Sequence, residues 1–421
     1  MMFTWRNFFF LVLLHSVFTG YVAAKVIPVR PGNNVQALID RAKAGDTLLI
    51  SKGYYKQHSL VVKKKLTLIG RDYPVFDGLG KYEVLFIYAD SVVVKGLQVQ
   101  NIGKSSMNDL AGIKVSDHRD VVITGNRIIN GTYGIYLQNS KFCVVKGNYI
   151  QSNATDELSS GNGIHAWKST DLLILDNIIS GHRDGIYFEF VSNSTIRNNR
   201  SFRNVRYGLH FMFSNNDRYE YNKFSENGAG VAVMYSKVVT MVGNIFIHNW
   251  GDASYGLLLK DISDSRISNN RFLKNTVGIY MEGTSRIEVN QNTFEENGWA
   301  LRVQANSSGS NFHRNNFVGN SFDVATNGTL MLNYFSNNYW DKYDGYDLDK
   351  DGTGDVPYYP VSAYSVITEQ VPVAMILYRS FLSGLIEMVE KILPTLIPDQ
   401  MKDDRPLIKR INLHDRNTPV N

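Results

Sequence analysis

The chain has 421 residues, of which 43% are hydrophobic, and its 44 basic and 39 acidic residues give a formal net charge of +5. So small an excess of positive charge argues against nucleic acid as a partner. The only cysteine, Cys143, excludes an internal disulfide, so the fold must be stable through packing alone.

The first 24 residues have the organisation of a secretory signal peptide. Arg6 precedes an apolar run at 8–14, and small residues ending at Ala24 follow where a signal peptidase cleaves. The apolar run is too short to span a bilayer comfortably. We therefore expect residues 1–24 to be removed on export, leaving Lys25 as the first residue. An uncleaved membrane anchor is the alternative.

Residues 25–47 are predicted to form an N-terminal cap. They contain a short amphipathic stretch at 35–39 that is typical of a helix. A helix at this point would cover the exposed edge of the first coil of a solenoid, and solenoids need such a cover.

Two sequence elements recur in step between residues 48 and 340. One is a glycine followed by alternating aliphatic residues, at Gly112, Gly134, Gly163, Gly185, Gly208, Gly230, Gly256 and Gly278. The other is an asparagine, usually two residues before an apolar side chain, at Asn126, Asn148, Asn177, Asn199, Asn222, Asn244, Asn270, Asn292 and Asn315. Most steps are 22 or 23 residues, but Gly134 to Gly163 takes 29 and Gly230 to Gly256 takes 26.

A fixed period of this length indicates a solenoid, and its short β-like runs favour an all-β protein. We predict a right-handed parallel β-helix of roughly ten coils over 48–340, with a ladder of stacked asparagines at one turn. A second file of asparagines, from Asn204 to Asn320, predicts another such corner. Cys143 falls beside a buried strand and is expected to be a core thiol. The period lacks the leucine pattern of a leucine-rich repeat.

Side chains alternate between the two faces of each strand. The second and fourth residues of the glycine repeat should point inward. Met241 and Met281 fall in inward places of the coils, so both are expected to be core residues. The third and fifth should point outward, and these are Tyr136 and Gln138, His165 and Trp167, Tyr187 and Glu189, His210 and Met212, Ala232 and Met234, and Leu258 and Lys260. A row of large outward groups predicts a contact surface. The partner surface is predicted at Tyr136, Trp167, Tyr187 and Glu189.

Imidazole and thioether groups fall on adjacent coils in these outward places. Together they are soft ligands suited to cuprous copper. We predict a copper site whose ligands are His210, Met212, Met234 and His165. The two long steps insert loops around 152–160 and 248–255, and these loops should flank the site. The alternative is that these histidines are hydrogen-bonded surface residues, as a lone histidine more often is.

Residues 341–371 are predicted to be an extended segment rich in aspartate and glycine. Asp347, Asp349 and Asp351 precede Gly352 with the spacing of the first half of a calcium loop. Tyr358 stands where the EF-hand has its glutamate. A calcium site and a plain polar turn are both open.

The C-terminal region changes character. Residues 372–393 have a helical period and a wide apolar face, so they are predicted to be an amphipathic helix. This helix could pack on the solenoid as a cap, or it could dock on a membrane protein. Residues 394–421 are predicted to be a polar tail.

Several strings in the central coils resemble the NosD family of maturation proteins for nitrous oxide reductase. These are HRDGIYFEF at 182–190, RYGLHFMFS at 206–214, GAGVAVMYS at 228–236, YGLLLK at 255–260, NYWDKY at 338–343 and GDVPY at 354–358. The resemblance implies a periplasmic, non-enzymatic protein that works with the membrane and ATPase subunits of an ABC transporter. It also implies nitrous oxide reductase and a copper chaperone as partners in copper-centre assembly.

A carbohydrate-active enzyme, such as a polysaccharide lyase or epimerase, is the alternative on the same fold. Such an enzyme needs acids and bases grouped in a groove. The nearest candidates are Asp184, Glu189 and Glu282, in an outward file that consists mostly of aromatic residues, histidine and methionine.

Overall fold

Three parallel β-sheets wound around one axis form the body of the protein. The computed structural model describes residues 24–105, 108–158, 160–328, 332–392 and 401–413, so all but one residue of the predicted signal peptide lies outside it. Each turn of the chain adds one parallel strand to each sheet. The predicted right-handed parallel β-helix is confirmed, in keeping with the right-handedness of parallel crossovers.

The 14-stranded sheet contains Val26–Val29, Thr47–Ile50, Thr67–Gly70, Val93–Lys95, Val122–Thr124, Val144–Lys146, Leu173–Leu175, Thr195–Arg197, Arg218–Glu220, Thr240–Val242, Arg266–Ser268, Glu288–Asn290, Asn311–His313 and Tyr334–Ser336. The 12-stranded sheet contains Leu60–Val62, Leu85–Ile87, Ala111–Ser116, Tyr133–Gln138, Asn162–Trp167, Asp184–Glu189, Tyr207–Met212, Ala229–Met234, Tyr255–Lys260, Val277–Glu282, Trp299–Val303 and Phe322–Ala325. The 13-stranded sheet contains Tyr54–Tyr55, Val75–Asp77, Gln98–Gln100, Arg127–Ile129, Tyr149–Gln151, Ile178–Ser180, Arg200–Phe202, Lys223–Ser225, Ile245–Ile247, Arg271–Leu273, Thr293–Glu295, Asn316–Val318 and Tyr339–Trp340.

The solenoid has more turns than the repeats indicated. The 13 strands of the third sheet correspond to about 13 turns, where roughly ten were expected. The coils before Gly112 account for the difference, because they pair in the same sheets without carrying the glycine and asparagine series.

Asparagine ladders run along two corners, as predicted. In the first ladder, the backbone N–H and the side-chain amide of Asn126 both donate to Oδ1 of Asn148, at 2.9 and 3.0 Å, and the same pair of bonds recurs from coil to coil. Asn199 takes part although a serine follows it in the apolar place. The residue before each ladder asparagine, such as Gly125 (φ 61°), supplies the left-handed turn.

The interior of the solenoid is apolar and close-packed. The second and fourth residues of the glycine repeat, such as Leu209 and Phe211, are fully buried in it, and so are Cys143, Met241 and Met281. A column of aromatic rings runs through the later coils with centroids 4.0–5.6 Å apart, formed by Phe224, Phe246, Phe272, Phe294, Phe317 and Trp340. Large stacked rings fill the interior where the chain has no disulfide to stabilise it.

The N-terminal end is closed by a strand and a helix. Val26–Val29 pairs in parallel with Thr47–Ile50. The first residues of the predicted cap over 25–47 are therefore the first strand of the 14-stranded sheet. Helix α1 (Val35–Arg41) buries Val35 and Ile39 against the first coils, and the side chain of Asn34 caps its N-terminus by accepting from Ala37 N.

The C-terminal region differs from the expected single amphipathic helix. Helix α2 (Ala363–Gln370) packs on the last strand of the 12-stranded sheet within the segment expected to be extended. A 3₁₀ helix (Pro372–Leu377) and helix α3 (Phe381–Ile392) divide the predicted helix over 372–393. Pro372 removes a backbone donor, so the helical pattern cannot continue unbroken from α2. None of the helices described is long and apolar enough to cross a membrane.

The expected polar tail instead closes the last coil. Both carboxylate oxygens of Asp403 are buried and accept hydrogen bonds from Asn337 N, Asn338 N, Asn338 Nδ2, Trp340 Nε1 and Arg405 N, at 2.9–3.1 Å. Asp403 therefore occupies the next position of the asparagine ladder, although it lies 65 residues beyond Asn338 in the chain. Sequence spacing could not reveal this, because the tail returns from outside the repeat.

Candidate functional site

The outer face of the 12-stranded sheet carries the predicted functional residues. The third-place residues form one continuous row in register, in the order Tyr136, His165, Tyr187, His210, Ala232 and Leu258. They lie outside the core cluster, as their outward assignment requires. Their predicted exposure is wrong, however, because they bury one another and all are less than 10% exposed.

Tyr136, His165, Tyr187 and His210 make a column of alternating phenol and imidazole rings, which we call the Tyr–His column. Successive ring centroids are 4.5, 4.9 and 4.9 Å apart. Tyr133 and Tyr207 add rings beside the two histidines, at 5.4 and 4.9 Å. The column ends at Ala232, whose small side chain is the next in register after His210.

A buried charged cluster lies beside the His210 end of this column. Arg206 donates from Nε and Nη2 to the two oxygens of Asp184, at 2.9 and 2.5 Å, and Nδ1 of His210 lies 3.6 Å from Asp184 Oδ2. Burial raises the pKa of Asp184, but the bonds from Arg206 and the neighbouring His210 outweigh it and hold that pKa below its ordinary value. At 3.6 Å, Asp184 is an ion-pair neighbour of the His210 ring but makes no hydrogen bond with it, and neither ring nitrogen of His210 has a hydrogen-bond partner among the described residues.

His165 is a neutral imidazole with a different partner. Its Nδ1 lies 2.9 Å from Nδ2 of Asn162, and burial, followed by the positive charge of Arg183, lowers the pKa of His165 to about 3. The Tyr187 ring lies between His165 and His210. His165 is therefore separated from the other predicted copper ligands, which sequence spacing alone did not reveal.

The fifth residues of the glycine repeat form a second row on this face, which we call the fifth-place row. Met212 and Met234 are direct neighbours in it. They are in register on adjacent strands, which are spaced about 4.8 Å apart. Both side chains are partly exposed, and the Tyr187 hydroxyl donates to Met212 Sδ at 3.7 Å. His210 and Met212 share a face because they are two residues apart on one strand. His210, Met212 and Met234 therefore lie together, and they offer one imidazole and two thioethers.

The inserted loop at 152–160 lies near this face. The negative charge of Glu157 acts on both Arg206 and Tyr207, so the loop approaches the charged cluster from outside. This agrees with the expectation that the long step flanks the site.

Only part of the predicted partner surface is accessible. Tyr136 and Tyr187 are buried in the Tyr–His column, whereas Trp167 and Glu189 are partly exposed in the fifth-place row. Tyr136 and Tyr187 therefore do not present a contact surface, because their neighbours in register cover them.

An exposed aromatic stack at the next corner was missed by sequence analysis. Phe190, Phe213 and Tyr235 follow the fifth-place row, stack with centroids 5.2 and 5.1 Å apart, and are each between 38% and 47% exposed. The signal was available, since each residue lies directly after Glu189, Met212 or Met234 in the repeat. The stack extends the accessible apolar surface alongside the methionine pair.

The three aspartates of the proposed calcium loop lie close together. Their carboxylate oxygens come within 4.8 Å of one another. Asp347 accepts from the backbone N–H of Asp351 and Gly352, and Asp351 also pairs with Arg405 at 3.3 Å. These bonds hold a tight polar turn, and calcium binding here remains a prediction.

Fold and site together define a right-handed β-helical protein whose outer face groups one imidazole with two thioethers. A family model described as "Periplasmic copper-binding protein (NosD)" matches residues 154–345, and a model of the right-handed β-helix region matches 76–172. A probable ABC transporter binding protein NosD of Pseudomonas aeruginosa is 28% identical over 418 aligned residues, covering 94% of this chain and 95% of the relative. Its namesake from Stutzerimonas stutzeri is 26% identical, covering 80% of each chain. The family model and both relatives support membership of the NosD family.

Solved structures share the architecture. An α-1,3-glucanase catalytic unit from Streptomyces thermodiastaticus aligns with a TM-score of 0.58 at 14% identity, over 76% of this chain and 69% of that one. A family 28 exopolygalacturonase from Yersinia enterocolitica aligns with a TM-score of 0.57 at 12% identity, over 76% and 79%. Likeness at this level of identity concerns the fold alone.

Proposed function

We propose that this protein is a periplasmic accessory protein of an ABC transporter complex, and that it hands cuprous copper to nitrous oxide reductase during assembly of its copper centres. The observation that carries the proposal is the grouping of His210, Met212 and Met234 on one outer face. The relatives' name, which refers to ABC transporter binding, and the family description, which refers to copper, support the same role. Copper is cargo in this proposal, and a copper chaperone would supply it.

The ligand chemistry suits transfer. Thioether and imidazole ligands favour Cu⁺ over harder divalent ions. The methionine pair is partly exposed, so a partner can reach the metal, and the Tyr187 hydroxyl holds Met212 through its hydrogen bond to Sδ. We infer weak, exchangeable binding at this site.

Replacing both thioethers should abolish copper binding while the fold survives. Leucine has nearly the volume of methionine, so Met212→Leu with Met234→Leu removes the sulfur ligands at little structural cost. Loss of a group that only hydrogen-bonds to a metal ligand alters metal affinity about 10- to 100-fold. Losing two ligands should weaken Cu⁺ binding at least as much. A competition titration of the purified soluble chain with a cuprous chelator measures this affinity.

Met281→Leu is the matched control, because it makes the same chemical change inside the core. It should leave the Cu⁺ affinity unchanged. Stoichiometric copper retained by the Met212/Met234 double variant would rule out this site.

The 3₁₀ helix and α3 form the proposed contact with the membrane subunit of the transporter. Ile376, Phe381 and Met388 are between 64% and 88% exposed, which is unusual for large apolar side chains grouped in one short segment. Helix α2 and Asp403 anchor this segment to the last coil on either side. The capping function thus falls to α2 and the tail, which leaves the apolar segment free to dock.

Replacing these exposed residues should release the transporter without unfolding the chain. We expect Ile376→Ser, Phe381→Ser and Met388→Ser together to reduce copurification with the membrane and ATPase subunits at least about tenfold, since buried apolar anchors dominate interfaces. Truncation after Gln370 is less informative, because it also removes Asp403. Serine at Leu158, Trp250 and Leu348, which are 65–99% exposed, is the matched control. Equal loss of binding in both triple variants would contradict the docking assignment.

A non-enzymatic role fits the carboxylates on this face. Of the three candidate acids, Asp184 is held by Arg206 and Glu282 pairs with Lys260 at 3.2 Å, which leaves the partly exposed Glu189 as a single acid and not a pair. A glycosidase or lyase requires free acids facing a sugar across a groove. These engaged carboxylates support the accessory role over the carbohydrate-active alternative.

A further inference from the structure

A small polar cavity lies at the corner between the 13-stranded and 12-stranded sheets, away from the methionine pair. Its volume is about 160 Å³, and its lining includes Lys104, Asn130, Thr132, Ser152, Asn153 and His182. Liquid water occupies about 30 Å³ per molecule, so the space holds a ligand of only a few heavy atoms.

His182 stands where the second asparagine ladder would continue. In that ladder the backbone N–H and the side-chain amide of Asn204 both donate to Oδ1 of Asn227. One coil earlier, His182 N donates to Oδ1 of Asn204 at 3.1 Å, but its side chain is an imidazole that makes no ladder bond. The repeat favours asparagine here, so histidine is a local departure from the structural pattern.

The His182 ring is buried without a hydrogen-bond partner. The side chain is 1% exposed, and neither ring nitrogen is in hydrogen-bonding geometry with a described residue. Burial lowers the pKa of His182 to about 4, and the nearby Thr132 backbone carbonyl, which lies outside hydrogen-bond geometry, offsets this only in part. Leaving a buried polar group unpaired is unfavourable, and a ligand in the cavity would offset that cost.

The charge of the lining indicates the kind of ligand. Lys104 is the one charged side chain lining the cavity among the described residues, and it makes no ion pair with any of them. The remaining polar lining consists of hydroxyls, amides and the neutral imidazole. The Ser152 hydroxyl and the Asn153 amide already donate to Gly131 O and Asn130 Oδ1, so the Lys104 ammonium and the His182 ring are the groups left to bind a ligand. With a cation and no carboxylate in its lining, the cavity complements negative charge.

We propose that this cavity is a binding site for a small oxyanion, held by the Lys104 ammonium and an N–H of the His182 ring. The site is independent of the proposed copper function, since none of its residues belongs to the His210, Met212 and Met234 group. The inserted loop, through Ser152 and Asn153, forms one wall. The 29-residue step in the repeat would thus serve to build this binding site.

Inorganic phosphate is the probe, added to the purified soluble chain at constant ionic strength with chloride as the comparison. Phosphate should raise the Tm of the wild type, and His182→Asn should abolish that response. The same variant should have an equal or higher Tm without phosphate, because asparagine completes the ladder. Lys104→Gln should weaken binding at least about tenfold, while Lys141→Gln, an exposed control, should not.

Four results would overturn the proposal. One is an unchanged phosphate response in His182→Asn, and another is no response of the wild type up to about 10 mM phosphate. The third is a large loss of Tm in His182→Asn without phosphate, which would make the imidazole a packing element. Saturation by Zn²⁺ or Cu⁺ in place of phosphate would likewise contradict an anion site.

Discussion

Asp403→Ala is expected to lower the free energy of unfolding by about 3–5 kcal/mol, because it removes a buried carboxylate from a fully satisfied network. Asn338 and the Trp340 indole would be left as buried donors without an acceptor. Residues 401–413 should then detach, exposing the last coil. Urea unfolding measures the total effect, and hydrogen exchange should locate the faster amides in Tyr334–Ser336 and the tail.

Asp404→Ala is the control for this prediction. Asp404 is mostly exposed and pairs only with Lys402, so its loss should change stability by no more than about 0.5 kcal/mol. Equal stability of the two variants would show that the tail does not close the solenoid.

Asp217→Asn is expected to stabilise the protein above neutral pH. Burial raises the pKa of Asp217 from 3.8 to about 7, and its Oδ2 has no hydrogen-bond partner among the described residues. The folded chain therefore holds a proton that the unfolded chain releases between about pH 4 and 7. The contribution of Asp217 to stability therefore falls as pH rises through this window, by about 2–4 kcal/mol. The buried neutral His165 and His182 act in the opposite direction up to about pH 6.5, so the effect of Asp217 has to be measured as a difference between variant and wild type.

Asn333 shows why asparagine fits the position of Asp217, because both residues directly precede a strand of the 14-stranded sheet. Oδ1 of Asn333 accepts from Ser310 N and its Nδ2 donates to the Ser307 carbonyl, while Asp217 Oδ1 accepts from Ser194 N. Unfolding at pH 5 and pH 8 should show that Asp217→Asn gains more stability relative to the wild type at pH 8 than at pH 5. The exposed Asp120→Asn should show no such difference, and an equal gain of Asp217→Asn at both pH values would contradict the raised pKa.

The parts of the fold that repeat could be predicted from the sequence. The glycine and asparagine series fixed the parallel solenoid, the asparagine ladders and the inward direction of Leu209 and Phe211, because each coil repeats the same local chemistry. Coils before Gly112 were undercounted, since their strands carry no such signal.

The parts that depend on contacts between distant or stacked residues could not be predicted. Tyr136 and Tyr187 face outward as expected, but their burial arises from rings on neighbouring coils. The separation of His165 from His210 depends on the Tyr187 ring between them. Asp403 enters the ladder from outside the repeat, and the predicted helix over 372–393 divides after Leu377 into a 3₁₀ helix and α3.

X-ray absorption at the copper edge of the Cu⁺-loaded soluble chain tests the copper site most directly. The proposed site predicts sulfur and nitrogen neighbours of the metal, from Met212, Met234 and His210. The sulfur contribution should vanish in the Met212→Leu/Met234→Leu variant and persist in Met281→Leu. A copper environment of oxygen and nitrogen alone in the wild type, or sulfur retained in the double variant, would contradict the site.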